Sequence, residues 1–453
     1  MSRSTNPKIE HVVVLVLENR SFDHMLGYLR MRNPKIDGPQ GEEFNFADPS
    51  KEAGMVRVSS DAPYVPDVDP SPSHEFHDVM LQVFLQFTVP NPMPSDGLNM
   101  GFMYDYAKVS HDVAHAGKVM QCFGPGKLSA LHALAEEFAI CDHWFSSLPG
   151  PTWPNRFFIH CATSGGYVDN TVREYPMKTI FENMESAGVD WRIYFHDFPQ
   201  SLALSNQRQF LRTKYEKFED AFVRDCKNGL LPPYSFIEPR YFNEGEDRAN
   251  DQHPIHGVAL GDNLIADVYD AMRSSPQWDK SLLVITWDEH GGFYDHVAPP
   301  ATKNPGDGSA PEFDFTRLGV RVPAVLASPY IPSRTVDKTV YDHSSICATL
   351  KKIFDLPLFL TNRDARANTF DHLLSLDSPR DTLRSLPRIP EEQVSASNPT
   401  QMPPTELHSS LVALAQSLPG GGINTTATPA CSEQEAAQLV KAALAQYTAS
   451  RPS

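Results

Sequence analysis

Two short apolar runs, each ending in acid, constrain this chain more than anything else in it. His11–Leu17 (HVVVLVL) and Ser281–Trp287 (SLLVITW) are continuous hydrophobic stretches of strand length. Such runs suit central strands of a parallel sheet, covered on both faces. The first stops at Glu18-Asn19-Arg20 and the second at Asp288-Glu289-His290. A third run, Val320–Ala327, is bounded by Pro329. Helical patterns over Lys127–Ile140 and Gly261–Arg273 lie between the runs. Strands alternating with helices predict an α/β fold, a mostly parallel sheet between helical layers. Open sheets of this kind bind ligands beyond the carboxyl ends of their strands. The two acidic clusters are therefore expected to meet there.

The remaining segments organise around this core. Residues 34–94 are rich in Pro, Asp and Ser, and read as long loops over the active face; residues 295–315 read the same way. The core is expected to span 1–384, followed by a proline-bearing linker over 385–404 and a helical C-terminal appendage over 405–453. Helices are predicted at Thr405–Leu418 and Ser432–Ala449, separated by Pro419-Gly-Gly-Gly. Ser432 followed by Glu435 predicts a capping box. A formal net charge of −17 argues against nucleic acid as a partner. The six cysteines are scattered with no CxxC pair, which excludes a zinc ribbon and favours free thiols, with one or two disulfides left open. The apolar run Val12–Leu17 is too short for a leader or a membrane span. A soluble protein is expected, cytoplasmic or exported without a cleavable leader. Nothing in the sequence sets an oligomeric state.

Four features carry chemistry. Glu18 and Asn19 are hard oxygen donors at a strand end, suited to a divalent cation or to a plain turn. Asp288 and Glu289 concentrate like charge, which a cation would offset; the alternative is a solvated acidic loop. Gly291 and Gly292 beside them allow close backbone approach to a ligand. In Gly150-Pro-Thr-Trp-Pro-Asn-Arg156, Pro154 suits the first turn of a helix over Asn155–His160. Thr152 would then sit just ahead of a helix N-terminus, where amides and the helix dipole favour phosphate. It reads as a metal-activated nucleophile or as a simple cap. Finally, His74, His253, His256, His290 and His343 lie in polar loops, where histidine can bind metal, steady phosphoryl oxygens or protonate a leaving group.

Taken in order, the blocks ENRSFDH, LPGPTWPNR, GLLPPYSFIEP, NDQHP, WDEHGGFYDHV, GVRVPAVLASPYI, DHSS and RDARANTFD resemble one family. It is the bacterial phosphoesterase family that contains non-haemolytic phospholipase C and the respiratory-burst-inhibiting acid phosphatases. The resemblance covers roughly residues 8–375. It implies an alkaline-phosphatase-like α/β sandwich with a phosphoesterase catalytic domain. It also implies one divalent metal held by Glu18, Asn19, Thr152, Asp288 and Glu289. Calcium is favoured for so oxygen-rich a set, with zinc, manganese or magnesium as alternatives. His74, His253 and His343 correspond to the family's catalytic histidines, and Asn19, His256 and His290 to substrate contacts. Threonine at position 152, where the acid phosphatases carry serine, resembles the phospholipase C branch. The Asp-Glu pair at 288–289, where they tend to Asp-Asp, points the same way.

The implied activity is hydrolysis of phosphatidylcholine-type lipids or small phosphocholine esters through a phospho-threonine intermediate. The alternatives are an acid phosphatase acting on monoesters and a non-catalytic protein that binds metal or phosphate. Phe76, Phe84, Phe87 and Tyr104 could hold a choline group by cation–π contact, or could simply pack.

Overall fold

The computed structural model describes residues 8–65, 68–88, 90, 94, 98–308, 311–390, 393, 402–418 and 430–450. The strands are β1 (His11–Leu17), β2 (Phe44–Asp48), β3 (Ala53–Arg57), β4 (Ala139–Cys141), β5 (Trp191–Phe195), β6 (Tyr215–Lys217), β7 (Tyr234–Glu238), β8 (Ser281–Trp287), β9 (Ala324–Ala327) and β10 (Thr335–Asp337). Eight of them form one sheet in the order β10-β4-β9-β8-β1-β7-β5-β6. Pairing is parallel except where β9 runs against both its neighbours. The two long apolar runs are the adjacent central strands β1 and β8, and every residue of both is buried. Burial on both faces is what removes any polar alternation from their sequences.

Helices complete the layers in two packed groups. Val258–Ser274 packs on Ser129–Glu137 and on Phe218–Asn228, while Thr152–Cys161 packs on Ser344–Phe354 and on Ile180–Ala187. The architecture is the expected α/β fold. Three details differ from the sequence reading. Val320–Ala327 is not one strand: only Ala324–Ala327 joins the sheet, and it is antiparallel to β8. Pro323 has no N–H to give to a ladder, so the pairing starts after it. The pattern over Lys127–Ile140 divides into a helix, Ser129–Glu137, and the strand β4.

The third difference lies in the stretch 34–94. The described part of it is more than loop, for it includes the β2–β3 hairpin and the helix Phe76–Phe84. Val79, Met80, Val83 and Phe84 of that helix join Phe102, Tyr294 and Phe313 in a second hydrophobic cluster beside the main core.

The C-terminal helices are Glu406–Ser417 and Glu433–Ser450. They pack on each other, and Leu411, Leu414, Ala415, Val440 and Leu444 are continuous with the main core. Ser432 Oγ accepts from Glu435 N at 3.2 Å, but Glu435 Oε2 accepts from Cys431 N rather than from Ser432. The box is therefore displaced by one residue. The glycine run after Pro419 and most of the stretch 391–401 lie outside the described residues. All six cysteines are free thiols; Cys431 is exposed and the other five are buried. Among the described residues no helix is long and apolar enough to cross a membrane.

Candidate active site

Register assembles the acids. Leu17 pairs with Trp287 at the ends of β1 and β8, so Glu18 and Asp288 leave the sheet side by side. Neighbouring strands sit about 4.8 Å apart, which sets the spacing of the residues just beyond their ends. Asn19 N donates to Asp288 Oδ1 at 3.0 Å, and Arg20 N donates to Glu289 O at 2.9 Å. Asn19 takes a left-handed backbone (φ 58°), as does Gly291 opposite (φ 65°). A Cβ at Gly291 would lie 2.2 Å from Asn19 O, so only glycine lets the two loops touch. Glu18, Asn19, Asp288 and Glu289 are all fully buried.

The third contributor is the helix Thr152–Cys161. It begins at Thr152 itself, with Pro151 as the flanking residue, rather than after it. Pro154 therefore falls in the first turn, where its missing N–H costs nothing. Thr152 Oγ1 lies 3.4 Å from Glu18 Oε2. Asn155 fixes the approach: its Oδ1 accepts from Ser147 N and Leu148 N, and its Nδ2 donates to Gly150 O and Pro151 O. Arg156, one turn on, donates to Glu18 Oε1 at 2.6 Å and to Asp288 Oδ2 at 3.3 Å. Gln200 Nε2 also donates to Glu18 Oε1, at 2.8 Å. Asn155, Arg156 and Gln200 were not singled out from the sequence. The signal for Arg156 was its spacing: residues four apart share a helix face, so it had to follow Thr152 into the site.

The acids fit a divalent cation. Burial pushes the carboxyls of Glu18 and Asp288 upward, with Arg156 pulling both back. Glu289, despite burial, is held below its usual range by the charges of His74 and His290. Among the described residues, the buried atoms Asn19 Oδ1 and Glu289 Oε1 meet no hydrogen-bond partner. Orphaned buried oxygens next to a carboxylate pair are what a hard cation would satisfy.

The five candidate histidines separate into two kinds. His74 and His253 line, with Thr152, a cavity of about 650 Å³. His74 Nε2 lies 3.2 Å from Asn19 Nδ2 and 3.9 Å from Glu289 Oε1. Burial lowers its pKa, but Glu289 and Glu75 raise it to about 9. His253 is held well below its usual value by burial and by the charge of His256, and its Nδ1 has no partner among the described residues.

The other three lie outside that lining, and both of their ring nitrogens are engaged by protein, as are those of His74, whose Nδ1 meets Pro72 O at 3.0 Å. His343 Nε2 donates to Asp288 O at 2.6 Å, and its Nδ1 accepts from Trp144 Nε1 at 3.3 Å. His290 bonds Gln82 Oε1 through Nε2, with Nδ1 3.4 Å from Glu289. His256 bonds Asp251 and Glu433. Through these contacts His343, His290 and His256 hold Asp288, Gln82 and the Asp251–Glu433 pair in place. The candidate choline aromatics fare similarly. Phe76 and Phe84 are packed inside, and Lys108 Nζ already sits 4.1 Å from the Phe87 ring and 3.9 Å from that of Tyr104.

A model described as the Phosphoesterase family matches residues 9–357, a span that takes in both strand ends and the Thr152 helix. The chain belongs to the Phosphoesterase family. It is accordingly a hydrolase of phosphoesters. The resemblance read from the motifs reaches beyond bacteria. Over 412 residues the chain is 42% identical to non-specific phospholipase C3 of Arabidopsis thaliana, covering 85% of this chain and 77% of that protein. Over 452 residues it is 27% identical to phospholipase C B of Mycobacterium tuberculosis, covering 84% and 82%. Among solved structures, it is similar to the lipoteichoic acid synthase LtaP from Listeria monocytogenes. That match has a TM-score of 0.37 and 11% identity, over 78% of this chain and 74% of that one. In this phosphoesterase, one cavity is thus lined by Thr152 and two histidines, with Glu18 and Glu289 close to Thr152 and His74.

Proposed function

We propose that this phosphoesterase is a phospholipase C. It would be a metal-dependent phosphodiester hydrolase that cleaves phosphatidylcholine-type lipids or related phosphocholine esters through a phospho-threonine intermediate. The observation that carries the reading is the register of β1 and β8, which sets Glu18 beside Asp288 within reach of Thr152. Relatives named as phospholipases C support the diester substrate.

Glu18, Asn19, Thr152, Asp288 and Glu289 would hold one divalent cation. All five offer oxygen, which favours calcium. When bound, the ion supplies Lewis acidity, easing loss of the Thr152 proton and offsetting charge on phosphoryl oxygens. The chain's own groups do the rest. Thr152 Oγ1 attacks phosphorus in line, its approach fixed by Asn155. His74, kept basic by Glu289 and Glu75, carries a proton to the departing diacylglycerol oxygen. His253 lines the same cavity, where it would meet a phosphoryl oxygen or the incoming water. His343 holds the Asp288 backbone.

Two experiments test this. Turnover on phosphatidylcholine vesicles and on p-nitrophenyl-phosphorylcholine is expected to exceed turnover on p-nitrophenyl phosphate. The reverse order replaces the diesterase by a monoesterase of the same family. Dialysis against a chelator is expected to abolish turnover and added calcium to restore it. Full activity in protein that elemental analysis finds metal-free would remove the cation from the reading.

A further inference from the structure

Glu433 is a carboxylate from the far end of the chain, buried completely beside the catalytic loops. It opens the helix Glu433–Ser450, beyond the last residue matched by the family model. Its Oε1 accepts from Asn243 N at 2.6 Å and from Asn243 Nδ2 at 3.0 Å. His256 Nε2 reaches the same oxygen at 3.2 Å, and His256 Nδ1 reaches Asp251 Oδ1 at 2.7 Å. From Asp251 the connections run straight into the site. Asp251 O accepts from Glu18 N at 2.8 Å, and Asp251 Oδ1 accepts from His253 N at 3.2 Å. Glu433 and the candidate metal ligand Glu18 are thus separated by only two side chains.

The geometry invites a different reading, a second metal centre. One nitrogen of His256, one of His408 and a Glu433 oxygen lie within 4.8 Å of one another. Every nitrogen is already engaged, however. His408 Nε2 bonds Tyr241 O at 2.7 Å and its Nδ1 accepts from Thr405 N at 3.2 Å, while His256 is held at both ends. A cation would have to break these bonds, whereas an ion pair between His256 and the two carboxylates uses them as they stand. Burial opposes charge on His256, yet Asp251 and Glu433 together raise it to about 10.

We propose that Glu433 is a positioning residue for phosphoester hydrolysis. From the C-terminal helix it locks His256, and through His256 the loop that sets Asp251 under Glu18 and turns His253 toward the cavity. The inference rests on the reaction centre proposed around Thr152. A carboxylate outside the matched catalytic region would then be required for full turnover.

Two variants cut the same link. Glu433→Gln keeps the shape and removes the charge. His256→Asn keeps a donor near the Nδ1 position for Asp251 but cannot reach residue 433, and it serves should the first variant not fold. Each is expected to lower kcat on p-nitrophenyl-phosphorylcholine about tenfold or more with KM unchanged. The double variant is expected to be no slower than the slower single, because both break one connection. A merely structural contact would lower the melting temperature and leave kcat per folded molecule intact. Wild-type kcat in either folded variant, or losses that multiply in the double, would overturn the proposal. Thr152→Ala run in parallel separates the two levels: an active Thr152→Ala sinks the reaction centre, and an inactive one beside a fully active Glu433→Gln sinks only the role of Glu433.

Discussion

Thr152→Ala is expected to lose turnover by about 10⁴-fold or more while keeping the fold, because the nucleophile proposed for the two-step transfer has no substitute. The structure makes this a clean substitution. Thr152 is the first residue of its helix and not the flanking cap, and among the described residues its hydroxyl has a single long contact, 3.4 Å to Glu18. Removing the hydroxyl and one methyl costs about 1–2 kcal/mol at a buried site. Steady-state kinetics measures the loss and circular dichroism checks the fold. Acid-quenched wild-type protein digested for mass spectrometry is expected to carry a phosphoryl group on Thr152. Turnover in the alanine variant within a few-fold of wild type would eliminate this nucleophile.

Arg156→Met is expected to destabilise the protein by about 3–5 kcal/mol, the usual consequence of leaving a buried charge without its partner. Arg156 is buried, and its guanidinium is the only cationic side chain that hydrogen-bonds both Glu18 and Asp288 among the described residues. Its terminal nitrogen also donates to Val16 O and Leu17 O at the end of β1. Methionine fills most of the volume and meets neither demand. Urea unfolding at neutral pH reads the effect. An unchanged midpoint would mean that the two carboxylates do not depend on this arginine.

The central strands were legible because burial on both faces leaves them as unbroken apolar runs, and the acids could be located because they follow directly. β9 was read too long because Val320 and Val322 look like strand residues, while the missing N–H of Pro323 decides where pairing begins. The second hydrophobic cluster was missed for another reason. It is built from short elements spread between Tyr28 and Val320, none with a long periodic run of its own. The histidines mark the real boundary of sequence reading. Spacing can nominate His256, His290 and His343, but whether a ring nitrogen is free depends on Glu433, Gln82 or Trp144, each far away along the chain. Arg156 and Glu433 were hidden in the same way, since an ion pair between remote residues leaves no local pattern.

The pairing of β1 with β8 also governs when and in what pieces this chain can act. Leu17 and Trp287 meet across most of the catalytic region. Any nascent polypeptide that ends before Asp288 lacks half of its acidic cluster, and any proteolytic product that has shed the first strand lacks the other half. Neither kind of fragment carries both halves of the cluster, so the long loop closure ties phosphoester hydrolysis to folded chains that hold both strands.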